Sequence, residues 1–225
     1  MPSRSKSRAL VIEGRTPSPE SVRDTASQKA DIYYFQSPKN HCRFVFRDQL
    51  VFFLAVLLEA DLNVISYKPT APGTFQQGPQ PCLTAVLFSG QEVSFIACYG
   101  VDGRSAITVK SLLDLSAPQD DGEPKVVTAQ FIRDEHIQIE NWLLICSIMN
   151  RAKNYSCIDE SDAVRRELRR LGTVSVGALT RGAATDEARM LTAIARGLQA
   201  GTLICNTATE PLTYCSALTL RRGVS

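Results

Sequence analysis

Four arginines stand in a spacing that suits contact with a phosphate backbone. They are Arg165, Arg166, Arg169 and Arg170, and separations of one, four and five positions place their side chains down one side of a helix. Such a row of guanidinium groups can lie along the phosphates of a nucleic acid. Acidic residues nearby are almost as numerous, so a solvated helix face paired with its own carboxylates is the alternative.

Four further basic residues join this row as candidate DNA contacts. Two come from the elements that follow it, and two stand just before the first long apolar segment. Local charge has to carry the interpretation, because the formal net charge of the 225-residue chain is +2 and does not by itself mark a nucleic-acid binder. The predicted DNA-binding residues are Lys39, Arg43, Arg165, Arg166, Arg169, Arg170, Arg181 and Arg189.

The residue types give little indication of a catalytic histidine site or of a zinc site. The two histidines, His41 and His136, have no spacing that suggests a catalytic pair with a nucleophile. The seven cysteines include no C-x-x-C pair, so no zinc site is indicated, and most lie in apolar runs typical of buried free thiols. We expect a cytoplasmic protein without a resident cofactor. The longest apolar run, Leu50 to Leu58, is far shorter than a membrane-spanning helix.

The elements that must position these residues fall into three parts. Residues 1–30 are rich in Ser, Arg and Pro and predict a mobile basic arm. Residues 31–135 alternate between helical and strand patterns, which predicts an α/β core with a mixed sheet. Residues 136–225 show helical periods followed by two short strands, which predicts a helical, winged-helix domain.

Within 31–135 the first long helix is the clearest element. Asp48 is a predicted N-cap, and the apolar residues that continue to about Leu62 predict a helix buried on most sides. A short strand and a turn are expected before this helix. After it we expect the strand NVISY, a hairpin of CLTAVLF and VSFIACYG, a helix in GRSAITVKSLLDL and a strand in KVVTAQFI.

Within 136–225 the predicted helices come with start and stop signals. Ser161 and Thr185 are candidate N-caps, and Gly172 and Gly201 are candidate stops. The predicted helices lie in IENWLLICSIMNRA, SDAVRRELRRLG, TVSVGALTRG and TDEARMLTAIARGLQAG, and the predicted two-stranded wing lies in TLICNT and LTYCSALTL.

Taken in order, several of these segments resemble the TnsA-like endonuclease subunits of heteromeric cut-and-paste transposases. The resemblance covers roughly residues 32–220. It depends on FQSPKN (35–40), on LLEADLNVISYKPTAP (57–72), and on VSVGALTRG (174–182) with AIARGLQAGTLICNTATEPLTYCSAL (193–218). It implies a restriction-endonuclease-like domain followed by a winged-helix domain, with double-stranded DNA and a transposase subunit or transposition ATPase as partners.

The catalytic positions that the resemblance implies are all replaced. The family uses a helix Glu, a hairpin Asp and a Glu/Gln-x-Lys, because carboxylates hold Mg²⁺ and a lysine neutralises charge at the phosphate. By position these fall on Val51, Thr84, Ala97 and Tyr99, and none of the four is a carboxylate or a lysine. The sequence therefore predicts a catalytically inactive homologue that binds DNA ends, partner transposase subunits, or both.

Two alternatives stay open at the level of sequence. An active, Mg²⁺-dependent endonuclease could use displaced ligands such as Glu59, Asp61 and Glu92. A DNA-binding regulator could use the winged helix alone, and it would then read an operator as a dimer.

Overall fold

The computed structural model of the chain describes residues 31–70, 82–99, 108–117, 123–181 and 186–221. The chain divides into two compact units, of which the first ends at Asp134 and the second begins at Glu135. In the described ranges no helix combines the length and the apolar character needed to cross a bilayer. The predicted basic arm and the predicted cap at Thr185 lie outside these ranges.

The N-terminal unit is a mixed α/β fold. Its strands are β1 (Tyr33–Ser37), β2 (Cys42–Phe46), β3 (Val64–Pro69), β4 (Leu83–Leu87), β5 (Glu92–Cys98) and β6 (Lys125–Thr128), and its helices are α1 (Gln49–Ala60), α2 (Leu112–Leu115) and α3 (Ala129–Asp134). One sheet has the order β3-β4-β5-β6, with two antiparallel pairings followed by a parallel one. The predicted α/β core with a mixed sheet is confirmed.

Helix α1 covers one face of this sheet. It packs against β3, β4 and β5, and Leu54, Leu57 and Leu58 have no solvent exposure. The sheet residues on the same face, such as Leu83 and Phe95, are also fully buried, because alternate side chains of a strand point to one side. The prediction of a helix buried on most sides is confirmed.

Three local predictions in this unit are corrected. The segment before α1 forms two strands, β1 and β2, which pair as an antiparallel hairpin. The strand predicted in KVVTAQFI ends at Thr128, whose hydroxyl accepts a hydrogen bond from the Phe131 backbone N–H at 3.2 Å and so begins α3. The helix predicted in GRSAITVKSLLDL is confined to α2 among the described residues, and Val109 instead donates a backbone hydrogen bond to Val126 in β6.

The C-terminal unit combines helices with a small sheet. Its helices are α4 (His136–Arg151), α5 (Ile158–Leu171), α6 (Val176–Arg181) and α7 (Glu187–Gln199), and its strands are β7 (Thr173–Ser175), β8 (Leu203–Ile204) and β9 (Ala217–Leu220). The strands form an antiparallel sheet of order β7-β9-β8. Two strands were expected here; the third, β7, comes from the start of TVSVGALTRG.

Two helix boundaries in this unit follow capping chemistry. Helix α5 ends at Gly172, which has a φ of 78°, as the stop signal predicted. It begins at Ile158, three residues before the predicted cap at Ser161. Helix α7 is capped by Asp186, whose carboxylate accepts a hydrogen bond from the Ala188 N–H at 2.7 Å.

Candidate functional site

Three of the four family-implied catalytic positions lie near the N-terminus of α1. The Asp48 carboxylate accepts hydrogen bonds from the backbone N–H of Val51 at 3.3 Å and from the Tyr99 phenol at 3.1 Å. Ala97 stands two residues before Tyr99 on β5, on the sheet face that α1 covers. The residues at these three positions are therefore a buried valine, an alanine and a tyrosine, and Asp48 contacts the backbone of the first and the phenol of the last.

The fourth position, Thr84, lies on the opposite face of the sheet. Thr84 pairs with Ser94 across β4 and β5, and their hydroxyl oxygens are 3.2 Å apart. Ala97 follows Ser94 by three positions, so strand alternation turns its side chain to the other face. The β4 residues that do share a face with Ala97 are Leu83, Ala85 and Leu87. If the hairpin Asp of the family corresponded to a residue one position before or after Thr84, that residue would still be apolar.

The Tyr99 phenol occupies the place where the resemblance implies a lysine. Its ring is two-thirds exposed at 67%, and its hydroxyl contacts the N-cap carboxylate of α1. Partial burial and the charge of Asp48 both raise the pKa of Tyr99 above its usual value. The phenol is therefore neutral near pH 7, and it donates a hydrogen bond to the helix cap instead of carrying a positive charge.

Glu59, the acid within α1, accepts hydrogen bonds in a buried network. Its carboxylate accepts hydrogen bonds from the Ser37 hydroxyl, the Tyr67 phenol at 2.7 Å and the Lys39 backbone N–H at 3.1 Å. Glu59 and Ser37 have no solvent exposure and Tyr67 has 2%. A buried carboxylate is tolerated when several donors satisfy it, and this one joins β1, β3 and α1.

Asn40 extends the same network to the edge of the sheet. Its amide nitrogen donates to the Ser37 hydroxyl oxygen at 2.8 Å, and its amide oxygen accepts from the backbone N–H of Tyr67 at 3.0 Å. Tyr67 belongs to β3, the outermost strand on that side of the sheet. The segment FQSPKN therefore has a structural role, because its Asn40 accepts a hydrogen bond from a backbone N–H of an edge strand.

Lys39, a predicted DNA contact, has its ammonium group at the C-terminus of α1. Its Nζ donates to the backbone carbonyl oxygens of Leu58 at 2.7 Å and Asp61 at 2.8 Å. Both carbonyl groups lie at the C-terminal end of the helix, where a positive charge is favourable. Arg43 is exposed and stacks its guanidinium group 4.8 Å from the ring centroid of Tyr34.

A buried lysine, Lys125, was not singled out from the sequence. It is 2% exposed, and its ammonium donates to the carbonyl oxygens of Asp114, Leu115 and Ala117 at the end of α2. Burial lowers the pKa of Lys125, although the carboxylates of Asp114 and Asp61 oppose that shift. The apolar setting of KVVTAQFI gives no sign that its lysine points inward.

The arginine row on α5 is exposed, and its members differ in their partners. Arg165 lies 3.5 Å from Asp162, and Arg170 forms an ion pair with Glu167. Exposed pairs of this kind contribute little to stability. Arg166 and Arg169 are exposed and have neither an ion-pair nor a hydrogen-bond partner within the described parts of the chain. These two side chains are therefore available to a ligand.

The remaining two predicted DNA contacts are bound within the C-terminal unit. Arg181 donates its Nε–H to the carbonyl oxygen of Gly177 at 3.0 Å. Arg189 forms an ion pair with the buried carboxylate of Glu160 at 3.0 Å and donates to the carbonyl oxygen of Ser156. Arg189 thereby links α7 to the start of α5.

The acid that the structure brings to the site, Asp48, was predicted as a helix cap alone. Its proximity to Tyr99 depends on how β5 lies beside α1, which no local pattern encodes. Among the residues that the structure describes, no three His, Cys, Asp or Glu side chains gather as metal ligands. Comparison with known proteins adds no further assignment, because no protein-family model, curated protein or solved structure matches the chain.

Proposed function

We propose that the chain is a non-catalytic relative of the TnsA-like endonuclease subunits, which binds duplex DNA and a partner transposase subunit or transposition ATPase. The observation that carries the proposal is the composition of the surface around the N-terminus of α1. Val51, Ala97 and Tyr99 stand where the resemblance implies a metal-binding acid and a Glu/Gln-x-Lys. The one acid there, Asp48, caps α1 and receives the Tyr99 hydrogen bond.

The geometry gives no support to an active endonuclease with displaced ligands. Glu59 is enclosed on the α1 side of the sheet. Glu92 is exposed and lies on the same side of β5 as Ser94, which faces away from α1. Asp61 forms the C-cap of α1, and its carboxylate accepts from the Asn63 N–H at 2.9 Å. Acids on opposite faces of one sheet cannot share a metal ion, whose carboxylate oxygens lie within about 2.6 Å of it.

The finer fold assignments belong to the same proposal. A four-stranded mixed sheet with α1 across one face is compatible with a restriction-endonuclease-like core. In the C-terminal unit the order α5-β7-α6-α7-β8-β9, with β9 central in the sheet, supports a winged-helix domain. The FQSPKN and LLEAD segments of the resemblance contact each other through Ser37 and Glu59. Both segments therefore have a structural role that does not depend on catalysis.

The partner claim has a direct test. We expect genes for a DDE-type transposase and an ATPase next to the gene for this chain. The purified full-length chain should co-elute with one of these two proteins in size-exclusion chromatography, with or without transposon-end DNA. Failure to associate with either protein, together with failure to bind duplex DNA, would contradict the proposal.

A further inference from the structure

The four arginines of α5 lie in its C-terminal half and on its exposed side. Val164 and Leu168 are 2% exposed and define its buried side. At 3.6 residues per turn the four arginines fall within an arc of about 140°, centred opposite that buried side. Arg165 and Arg170 are separated by about 7.5 Å along the axis. The C-terminal half of α5 therefore presents a compact cationic surface to solvent.

Helix α7 holds the position that would enter a DNA groove in a helix-turn-helix arrangement, yet most of it is buried. It packs against α4, α5 and α6, and Met190, Ala193 and Ile194 are at most 3% exposed. Its N-cap, Asp186, and its first residue, Glu187, are both acids. Acidic side chains at this end would be repelled by phosphates.

The first-turn acid Glu187 is also held by a contact within the unit. The phenol of Tyr214 donates a hydrogen bond to the Glu187 carboxylate at 2.7 Å. The one arginine of this turn, Arg189, is paired with Glu160. The N-terminal turn of α7 therefore has a negative charge and no available cation for reading base edges, which argues against an operator-reading regulator.

The connection between β8 and β9 is equally unsuited to DNA. Residues 205–216 contain no lysine or arginine and include Glu210. Asn141 of α4 donates to the carbonyl oxygens of Thr207 and Glu210 at 2.7 and 2.8 Å, and its amide oxygen accepts from the Leu212 N–H. The connection is thus fastened onto α4 by three hydrogen bonds.

From these observations we infer that α5 binds duplex DNA through its phosphates, with Arg166 and Arg169 as the principal contacts and with no base reading by α7. The inference rests on the proposed DNA-binding function and specifies its site and its mode. Phosphate contacts position a protein on DNA without conveying sequence. The interaction is therefore independent of sequence and sensitive to salt.

Two acids on the arginine-bearing face of α5 provide a second test of the inference. Asp159 and Asp162 are exposed and lie one to two turns before the arginines. A duplex lying along α5 would bring phosphates close to both carboxylates. Their neutralisation should therefore strengthen binding, whereas an arginine row with a purely structural role would give no such gain.

The test measures the affinity of the full-length chain for duplexes of unrelated sequence over a range of salt. The variant Arg166→Ala/Arg169→Ala is compared with Arg151→Ala/Lys153→Ala, which removes the same charge from two other exposed positions in the C-terminal unit. Each lost phosphate contact lowers the salt slope by about 0.9, so raising salt fourfold should weaken wild-type binding about tenfold more than that of the α5 variant. The control should keep the wild-type slope, and Asp159→Asn/Asp162→Asn should bind more tightly.

Each outcome separates this inference from the proposed function. If wild-type protein binds DNA and the α5 variant binds equally well, the inference is overturned while the DNA-binding function survives. A strong preference for one duplex sequence would also overturn it. If wild-type protein binds no duplex at any salt concentration, the DNA-binding part of the proposed function and the inference both fail.

Discussion

The hydroxyl of Ser37 donates a hydrogen bond to Oε1 of Glu59, and it fastens the end of β1 to the last turn of α1. Tyr67 from β3 donates to the same carboxylate oxygen at 2.7 Å. Three separate elements thereby meet at one buried carboxyl group. Glu59 belongs to the structural core, so its replacement should affect folding more directly than chemistry.

Glu59→Gln should lower the free energy of unfolding by roughly 1–3 kcal/mol. In the wild-type protein hydroxyl and N–H donors point at both carboxylate oxygens, and in the variant an amide N–H₂ group would face one of these donors. Chemical denaturation monitored by circular dichroism measures the change. Glu92→Gln is the matched control, since Glu92 is exposed, and it should stay within about 0.5 kcal/mol of wild type. Equal stability of the two variants would contradict the structural role of Glu59.

Asp48 should serve two separable functions, as a cap of α1 and as a neighbouring charge for Tyr99. Asp48→Ala should cost about 1 kcal/mol of stability through loss of the cap, whereas Asn caps a helix about as well as Asp. Both variants should lower the pKa of Tyr99, because each removes the charge that helps to raise it. The ultraviolet absorbance of phenolate follows this titration, and Tyr99→Phe identifies its signal. An unchanged pKa in Asp48→Asn would contradict the contact.

Cysteine reactivity should follow the pKa and the exposure of each thiol. Burial raises the pKa of the Cys82 thiol to about 12, and the thiolate is the form that alkylating reagents attack. Cys215 is exposed. Brief treatment of folded protein with iodoacetamide at about pH 8 should label Cys215 and leave Cys82 unmodified. Peptide mass spectrometry measures both sites, and rapid labelling of Cys82 would contradict the raised pKa of its thiol.

Lys125 should make the free energy of unfolding vary with pH in the alkaline range. Its folded pKa is lowered from 10.5, so between the folded pKa and 10.5 the unfolded chain binds more protons on this lysine than the folded chain. The free energy of unfolding contributed by Lys125 therefore rises with pH in that window. The stability difference between wild type and Lys125→Met should widen in favour of wild type there. A difference that stays constant or narrows would contradict the lowered pKa.

The sequence predicted those elements whose signals are local. Asp48 followed by an apolar run predicts α1, and Gly172 ends α5 with the positive φ that glycine permits. A strand and a turn were expected before α1, but the returning strand β2 was missed. The turn places a histidine, His41, at a φ of 54°, where a glycine or asparagine would have signalled a hairpin. Strand β7 was missed because three residues are too few for a periodic pattern.

The site was harder to predict because it depends on which face each side chain takes. Thr84 and Ala97 both stand in apolar runs, and the pairing of Thr84 with Ser94 is what separates them onto opposite faces. Lys39 was assigned to DNA because it is basic and stands before the first helix. Its contact with the α1 carbonyl oxygens depends on the hairpin geometry. By contrast, the exposure of Arg166 and Arg169 follows directly from the helical period of α5.

Whether the chain is catalytic is decided by the nicking of supercoiled plasmid, assayed with the full-length chain in Mg²⁺ and separately in Mn²⁺. Glu92→Gln and Asp61→Asn are assayed beside wild type, since neither removes the buried Glu59 network. Our account predicts no metal-dependent nicking by any of the three proteins, together with salt-sensitive retardation of the plasmid. Metal-dependent nicking by wild-type protein that is lost in Glu92→Gln or Asp61→Asn would contradict it, and would show an active endonuclease with displaced ligands.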